Sequence, residues 1–359
     1  MALFAYVYNF RISVFVFAVF LMVFSPAAKA QKADTIPSIK KKKNLAVIPI
    51  LSYNRSYGVT GGVMANYFMD LNKKDTISPA SVSGFTIGYT QNRSWAAIVM
   101  QRLFLKEDKI RLVWAAGSGK INFQYYELAA ESFVDYHTAT RFVFVSGSYQ
   151  VMKHFFAGLQ FQNSRSTTTF SNTAIPSQYV SINRLGLPLS YDTRNNVYTP
   201  TKGLLLNSVF TSNAKWLGND IAFGTVSLAA NYYKPLSERA VLASRIYFYA
   251  GLGNVPFIGQ KAIGGKDIRG YTQGEFRSDK IASLQSEYRY AVNKKIGVVG
   301  FAGIGTAFRN DSIPGSGLLP GAGVGFRYKV IPQRNINAGI DIAAGKRDWG
   351  IYFRITEAF

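Results

Sequence analysis

The chain has no cysteine and only two histidines among its 359 residues. That excludes a disulfide scaffold, thiolate-ligated zinc, haem or iron–sulfur centres, and a lipid anchor attached through cysteine. No metal site and no cofactor are expected. Acidic side chains are also scarce, with 19 Asp plus Glu against 41 Lys plus Arg, a formal charge of +22. Beyond Phe24 no apolar run reaches the ~20 residues that a membrane-spanning helix needs. What the chain has in quantity is glycine, with 32 residues, and aromatic side chains, at 15%. With 48% apolar residues it belongs among folded chains rather than disordered ones.

Residues 1–30 read as a secretory signal peptide. Arg11 supplies the positive region, and Ile12 to Phe24 is uncharged. Ser25-Pro26 breaks the helix, and Ala28-Lys29-Ala30 fits the small-x-small pattern for cleavage before Gln31. Losing Arg11 and Lys29 lowers the charge by two, from +22 to +20. Residues 31–45 read as a short periplasmic tail in which Lys40, Lys41, Lys42 and Lys43 run together. The basic residues elsewhere are dispersed, and export removes nucleic acid as a partner. Outer-membrane lipids, with anionic headgroups, are the expected counterpart.

From residue 46 onward the pattern has period two. Trp349, Ile351, Phe353, Ile355 and Phe359 share one face, broken only by Glu357, while Gly350, Tyr352, Arg354, Thr356 and Ala358 share the other. Ala322, Val324, Phe326 and Tyr328 oppose Gly323, Gly325, Arg327 and Lys329 in the same way, and Leu284, Tyr288 and Tyr290 oppose Gln285, Glu287 and Arg289. Such alternation makes strands with one apolar face. Aromatic residues cluster near the strand ends, as in the girdles of membrane barrels, and no helical pattern intervenes. The fold predicted over 46–359 is all-β: a transmembrane antiparallel β-barrel of about sixteen strands. They are placed at 46–54, 57–69, 81–92, 95–105, 109–127, 132–151, 153–170, 180–194, 202–214, 219–235, 239–253, 282–292, 295–308, 318–331, 335–345 and 349–359. An even number puts both ends of the barrel chain on the periplasmic side. Phe359, ending the last strand, has the form of an outer-membrane insertion tag.

One connection, 254–281, is too long for a hairpin. It carries Gly259, Gly264, Gly265, Gly270 and Gly274, and its predicted place is inside the lumen, which at this strand number needs a plug or holds water.

Within it, Ile263-Gly264-Gly265-Lys266-Asp267-Ile268-Arg269-Gly270-Tyr271 resembles the BamA/TamA-like outer-membrane assembly barrels, the bacterial surface antigen family. Their sixth extracellular loop bears an Arg-Gly-aromatic tip after paired glycines. Two more stretches are similar to that family: Tyr191-Asp192-Thr193-Arg194-Asn195-Asn196 followed by Pro200, Lys202 and Gly203, at a hairpin, and Ser286-Glu287-Tyr288-Arg289-Tyr290. The likeness covers about 46–359. It implies a barrel with a weak seam between first and last strands and a loop tip whose arginine, here Arg269, pairs with acids on the inner wall. A guanidinium offers a planar fork to carboxylates, and a buried charge has to be paired. Gly270 permits a backbone turn closed to other residues, and Tyr271 packs on the wall. Glu287 is the expected first partner. Where relatives carry a second acid, in an F-x-D-x-G context, this chain has Phe301-Ala302-Gly303-Ile304-Gly305, and Asp341 is the expected substitute. The stretch between Gln31 and the first strand has no room for a POTRA domain, so the resemblance is to barrel-only members.

Function is expected at the seam, around Val47, Pro49, Tyr53 and Phe359: insertion or translocation of unfolded barrel clients by strand addition, with separate periplasmic or lipoprotein partners in place of POTRA domains. Pro49 lacks an N–H and leaves a gap in the strand ladder. The alternative is a plugged channel or structural subunit with a basic lumen, given the inward parity of Arg289, Arg327, Lys329 and Arg354. Catalysis is not expected, since His137 and His154 have no serine or acid at a spacing that makes a triad.

Overall fold

The computed structural model describes residues 44–54, 57–127, 132–171, 176–256, 259–271, 276–308 and 317–359. The expected signal peptide, 1–30, and the expected tail up to residue 43 lie outside the described residues.

Sixteen strands form the wall. The first eight are β1 (Leu45–Asn54), β2 (Gly58–Met69), β3 (Ser81–Thr90), β4 (Trp95–Leu105), β5 (Ile110–Glu127), β6 (Ser132–Met152), β7 (Phe155–Phe170) and β8 (Gln178–Asp192). The rest are β9 (Gly203–Asn213), β10 (Phe223–Pro235), β11 (Ala240–Gly253), β14 (Lys280–Ala291), β15 (Ile296–Phe308), β16 (Leu319–Ile331), β17 (Ile336–Gly345) and β18 (Asp348–Ile355). Each pairs antiparallel with its neighbours in sequence, β11 pairs with β14, and β1 meets β18 to close the barrel. Two short strands, β12 (Lys261–Ala262) and β13 (Arg277–Ser278), form a separate ribbon within the long β11–β14 connection. β1 begins and β18 ends at one rim, here the near rim. The long connection springs from the other, the far rim.

The period-two faces sort as the alternation requires, with the apolar side outward. On β14 Leu284 and Tyr288 are exposed, whereas Gln285, Glu287 and Arg289 are buried. On β16 and β17 Val324, Phe326 and Ile342 face out while Arg327 and Asp341 are buried. A wall that is apolar outside and charged inside inverts the order of a water-soluble sandwich. It suits a solvent of acyl chains, where closure also pairs the backbone.

The chain departs from the predicted pattern at its last residues. β18 ends at Ile355, Thr356 takes φ +73°, and 356–359 turn into the lumen. Phe359 therefore does not lie at the seam. It is buried with Tyr233, Ala243 and Ala358, and its carbonyl oxygen accepts a hydrogen bond of 3.1 Å from Arg289. The physical reason is Glu357, the polar break in the outward apolar face. Continued as a strand, its carboxylate would face lipid, where an unpaired charge is expensive. Turned inward it meets Arg327 at 2.9 Å and the Asn337 amide at 2.7 Å.

Candidate functional site: a lumen loop, a charge cluster and a seam

The loop between β11 and β14 turns at Gly264 and Gly265, with φ of +133° and +65°. Ile263 and Ile268 are fully buried against Tyr247, Tyr249, Ile281 and Leu319, which fastens the descending limb to the wall. At the tip Gly270 has φ +100°, and a Cβ there would lie 2.5 Å from the carbonyl carbon of Ala344, so only glycine fits. Its N–H donates to the Tyr352 hydroxyl at 2.8 Å. The Tyr271 hydroxyl donates to the Pro320 carbonyl at 2.6 Å and accepts from the Lys346 N–H at 2.9 Å. Gly345 makes the space for this ring, since a Cβ there would sit 2.5 Å from it.

Arg269 points deeper and is fully buried. It donates to Asp341 at 2.6 Å and to Glu287, with Gln285 at 3.4 Å, and its guanidinium carbon stands 3.4 Å from the centre of the Phe301 ring. Asp341 is shared: Arg327 lies at 2.5 Å and Arg354 at 2.7 Å. Glu287 also holds Arg289 at 2.7 Å, and Glu357 joins Arg327 to Arg289. Four guanidiniums from the loop, β14, β16 and β18 thus interleave with carboxylates from β14, β17 and the inward-turned 356–359 segment. Such a cluster is strong only when complete, because each buried charge relies on its neighbours.

Glu287 and Asp341 were both readable as lumen-facing from strand parity. Gln285 and Phe301 were missed, although they share that parity. The absent second acid has a steric explanation: a Cβ on Gly303 would lie 2.5 Å from the Cβ of Gln285. Gln285 fills the space and faces Arg269 in its stead.

The hairpin motif sits at the near rim. Asp192 accepts from Arg194 at 2.9 Å and from Arg111 at 2.9 Å, and Gly203, at φ +113°, has no room for a Cβ beside the Thr193 carbonyl. Pro200 offers its carbonyl to Arg289 at 3.4 Å. These contacts set the β8–β9 turn, 193–202, so that it reaches β1 and β18 from below. The Tyr198 hydroxyl donates to Ala80, in the β2–β3 turn, and its ring stands edge-on to Phe68 at 5.3 Å. The Thr199 hydroxyl donates to Asn335 in the β16–β17 turn at 2.8 Å, and Glu357 donates its N–H to Tyr198 at 3.4 Å. One turn therefore grips both sides of the seam. Ala46, Ile48, Ile336 and Ile355 pack in the same cluster as Tyr198.

Burial pushes the Tyr198 phenol up to about 12, with Arg102 opposing it. A phenol raised in the folded state adds stability below its ordinary pKa of 10, and that contribution is lost as pH rises from there through about 12. Replacing Tyr198 by Phe together with Thr199 by Ala removes two neutral hydrogen bonds. The expected loss is about 1–3 kcal/mol of near-rim stability, read as faster amide exchange in β1 and β18 than in β5 and β6. Equal exchange in both regions would show that the turn does not hold the seam.

The seam itself is thin. Among the described residues β1 and β18 share one register pair, Asn54↔Gly350, whereas β1 pairs with β2 along its whole length, Leu45↔Tyr67 to Asn54↔Gly58. That pair lies at the far rim, beside a Tyr53–Trp349 ring contact with centroids 5.3 Å apart. Val47 and Tyr53 are exposed on the outer wall at 55% and 39%, and Pro49 faces Val63 on β2.

Residues 160–330 match the model of the Omp85 superfamily domain. Among solved structures the chain is similar to BamA from Haemophilus ducreyi lacking POTRA domains 1–3, with TM-score 0.57 and 12% identity over 89% of this chain and 74% of that one. It is similar to CdiB from Escherichia coli, with TM-score 0.60 and 12% identity over 85% and 62%. CdiB from Acinetobacter baumannii gives TM-score 0.56 and 14% identity over 87% and 59%. The chain thus spans less than two thirds of either CdiB, and at these identities the likeness is one of fold. No curated protein matches the chain.

Proposed function

We propose, for a chain whose residues 160–330 form an Omp85 superfamily domain in a barrel of the BamA fold, that it acts in the bacterial outer membrane and passes protein clients through the β1–β18 seam. The observation that carries this reading is that, among the described residues, those strands share a single register pair. From Leu45 to Tyr53, β1 has no strand partner on its β18 side among the described residues, and an extended client segment would supply one by β-augmentation. Pro49 weakens the same edge, because it has no N–H to give. The loop tip and the 356–359 segment occupy the lumen, which favours a path through the wall over one along the axis. No work from nucleotide hydrolysis is needed, since a client strand that pairs in lipid releases its own folding free energy. Unfolded barrel clients are the proposed cargo, with separate periplasmic or lipoprotein partners delivering them to the near rim.

A photoreactive residue at Tyr53 tests this in cells. Adducts to many newly exported proteins are the expected result. A single abundant adduct would instead make the chain a subunit of a fixed complex. Adducts to β18 alone would mean a permanently shut seam and a plugged channel with a basic lumen.

A further inference from the structure

The outer wall of β5 to β8 carries a feature that the seam does not use. Register aligns residues across these four strands in rows that share the outward face. Trp114, Val145, Phe161 and Leu185 form one row, and Ala116, Val143, Asn163 and Asn183 form the next toward the far rim. Then come Ser118, Arg141, Arg165 and Ser181, followed by Lys120, Ala139, Thr167 and Tyr179. Trp114, Val143, Val145, Phe161 and Tyr179 are all exposed, so the rows face outward. The apolar band therefore ends at a row of two arginines flanked by two serines, with Lys120 one row beyond.

Arg141 and Arg165 are directly opposite one another and exposed. Like charges in that position destabilise a strand pair. Among the described residues neither arginine forms an ion pair. Asp135, the nearest acid along β6, is six residues away, about 20 Å. Among the described residues nothing relieves the repulsion.

We propose that this row binds the phosphate groups of a membrane lipid headgroup at the boundary of the outer leaflet. Two guanidinium forks match phosphate oxygens bidentately. The serine hydroxyls extend the donor row, Lys120 adds charge, and the exposed Val143, with Trp114, Val145 and Phe161 in the row below it, receives acyl chains. The assignment rests on the membrane reading for its orientation, and not on the seam.

The test uses the signal-free full chain in phosphatidylcholine nanodiscs doped with a bisphosphorylated glycolipid, lipid A. Native mass spectrometry counts the glycolipid retained. The wild type is expected to retain it, and Arg141→Gln/Arg165→Gln to bind it roughly thirtyfold more weakly, at about tenfold per 1.4 kcal/mol. Arg165→Glu is expected to lose the glycolipid yet unfold at a higher temperature than wild type in undoped discs, since the introduced carboxylate would pair with Arg141. Equal retention by the double variant would overturn the proposal. So would full protection of the wild type by millimolar inorganic phosphate in undoped discs, which would make the row a free-phosphate site. Heat-modifiable gel migration verifies the barrel in each case, so a failed membrane reading is distinguishable from a failed lipid site.

Discussion

Asp341→Asn is expected to lower the barrel's stability by about 3–5 kcal/mol, the range for breaking a buried ion pair. Asp341 is the common partner of Arg269, Arg327 and Arg354. An amide of the same shape leaves three guanidiniums crowded around a neutral group. Arg269→Met is expected to be milder, although Arg269 is the motif residue. Its removal leaves Glu287 on Arg289, and Asp341 on Arg327 and Arg354. Arg269→Met and Glu287→Gln should be non-additive, because they cut one contact from its two sides. Adding Arg354→Met to Asp341→Asn should recover part of the loss by removing one orphaned cation. Denaturant unfolding in micelles measures each value, and protease cleavage at Lys266 reports release of the loop. If Asp341→Asn were no worse than Arg269→Met, the cluster would not be centred on Asp341.

The second large effect is on function. Asn54→Cys/Gly350→Cys would place two thiols at the register pair that joins β1 to β18 among the described residues. Directly opposed antiparallel residues have Cα atoms about 4.5–5.5 Å apart, within the range a disulfide spans. The chain has no cysteine of its own to interfere. The oxidised protein should remain a heat-modifiable barrel and lose client insertion into vesicles almost entirely, with recovery on reduction. Tyr53→Cys/Val59→Cys, which bridges β1 and β2 instead, should leave insertion intact. Full activity in the oxidised seam variant would end the lateral-passage reading.

Strand positions were legible because period two survives wherever one face meets lipid and the other meets charge. Leu284 and Glu287 reveal their faces by chemistry alone. The ends were less legible. The last strand stops at Ile355, and the reason, Glu357 seeking Arg327, involves a partner 30 residues away that no local pattern displays. The charge cluster was half legible. Parity turned Arg289, Arg327 and Arg354 inward but did not pair them, since pairing across strands depends on register. Gly303 illustrates the limit: its sequence context suggests a lost acid, and only packing shows Gln285 in that space. The two-sided grip of the 193–202 turn was not visible at all, because Thr199 and Asn335 are 136 residues apart.

The wiring of Arg269 also fixes an order in time. Its two acids lie 18 and 72 residues onward in the chain, on the twelfth and fifteenth strands of the wall. During assembly the loop tip therefore has no seat until β14 and β17 are held together through β15 and β16. Docking therefore follows the pairing of those four strands, and contacts formed after the rate-limiting step add to the barrier for coming apart, not to the barrier for coming together. A barrel with Asp341 replaced would accordingly be made at an ordinary pace and be lost early: its half-life would shorten while its rate of appearance in the membrane stayed the same.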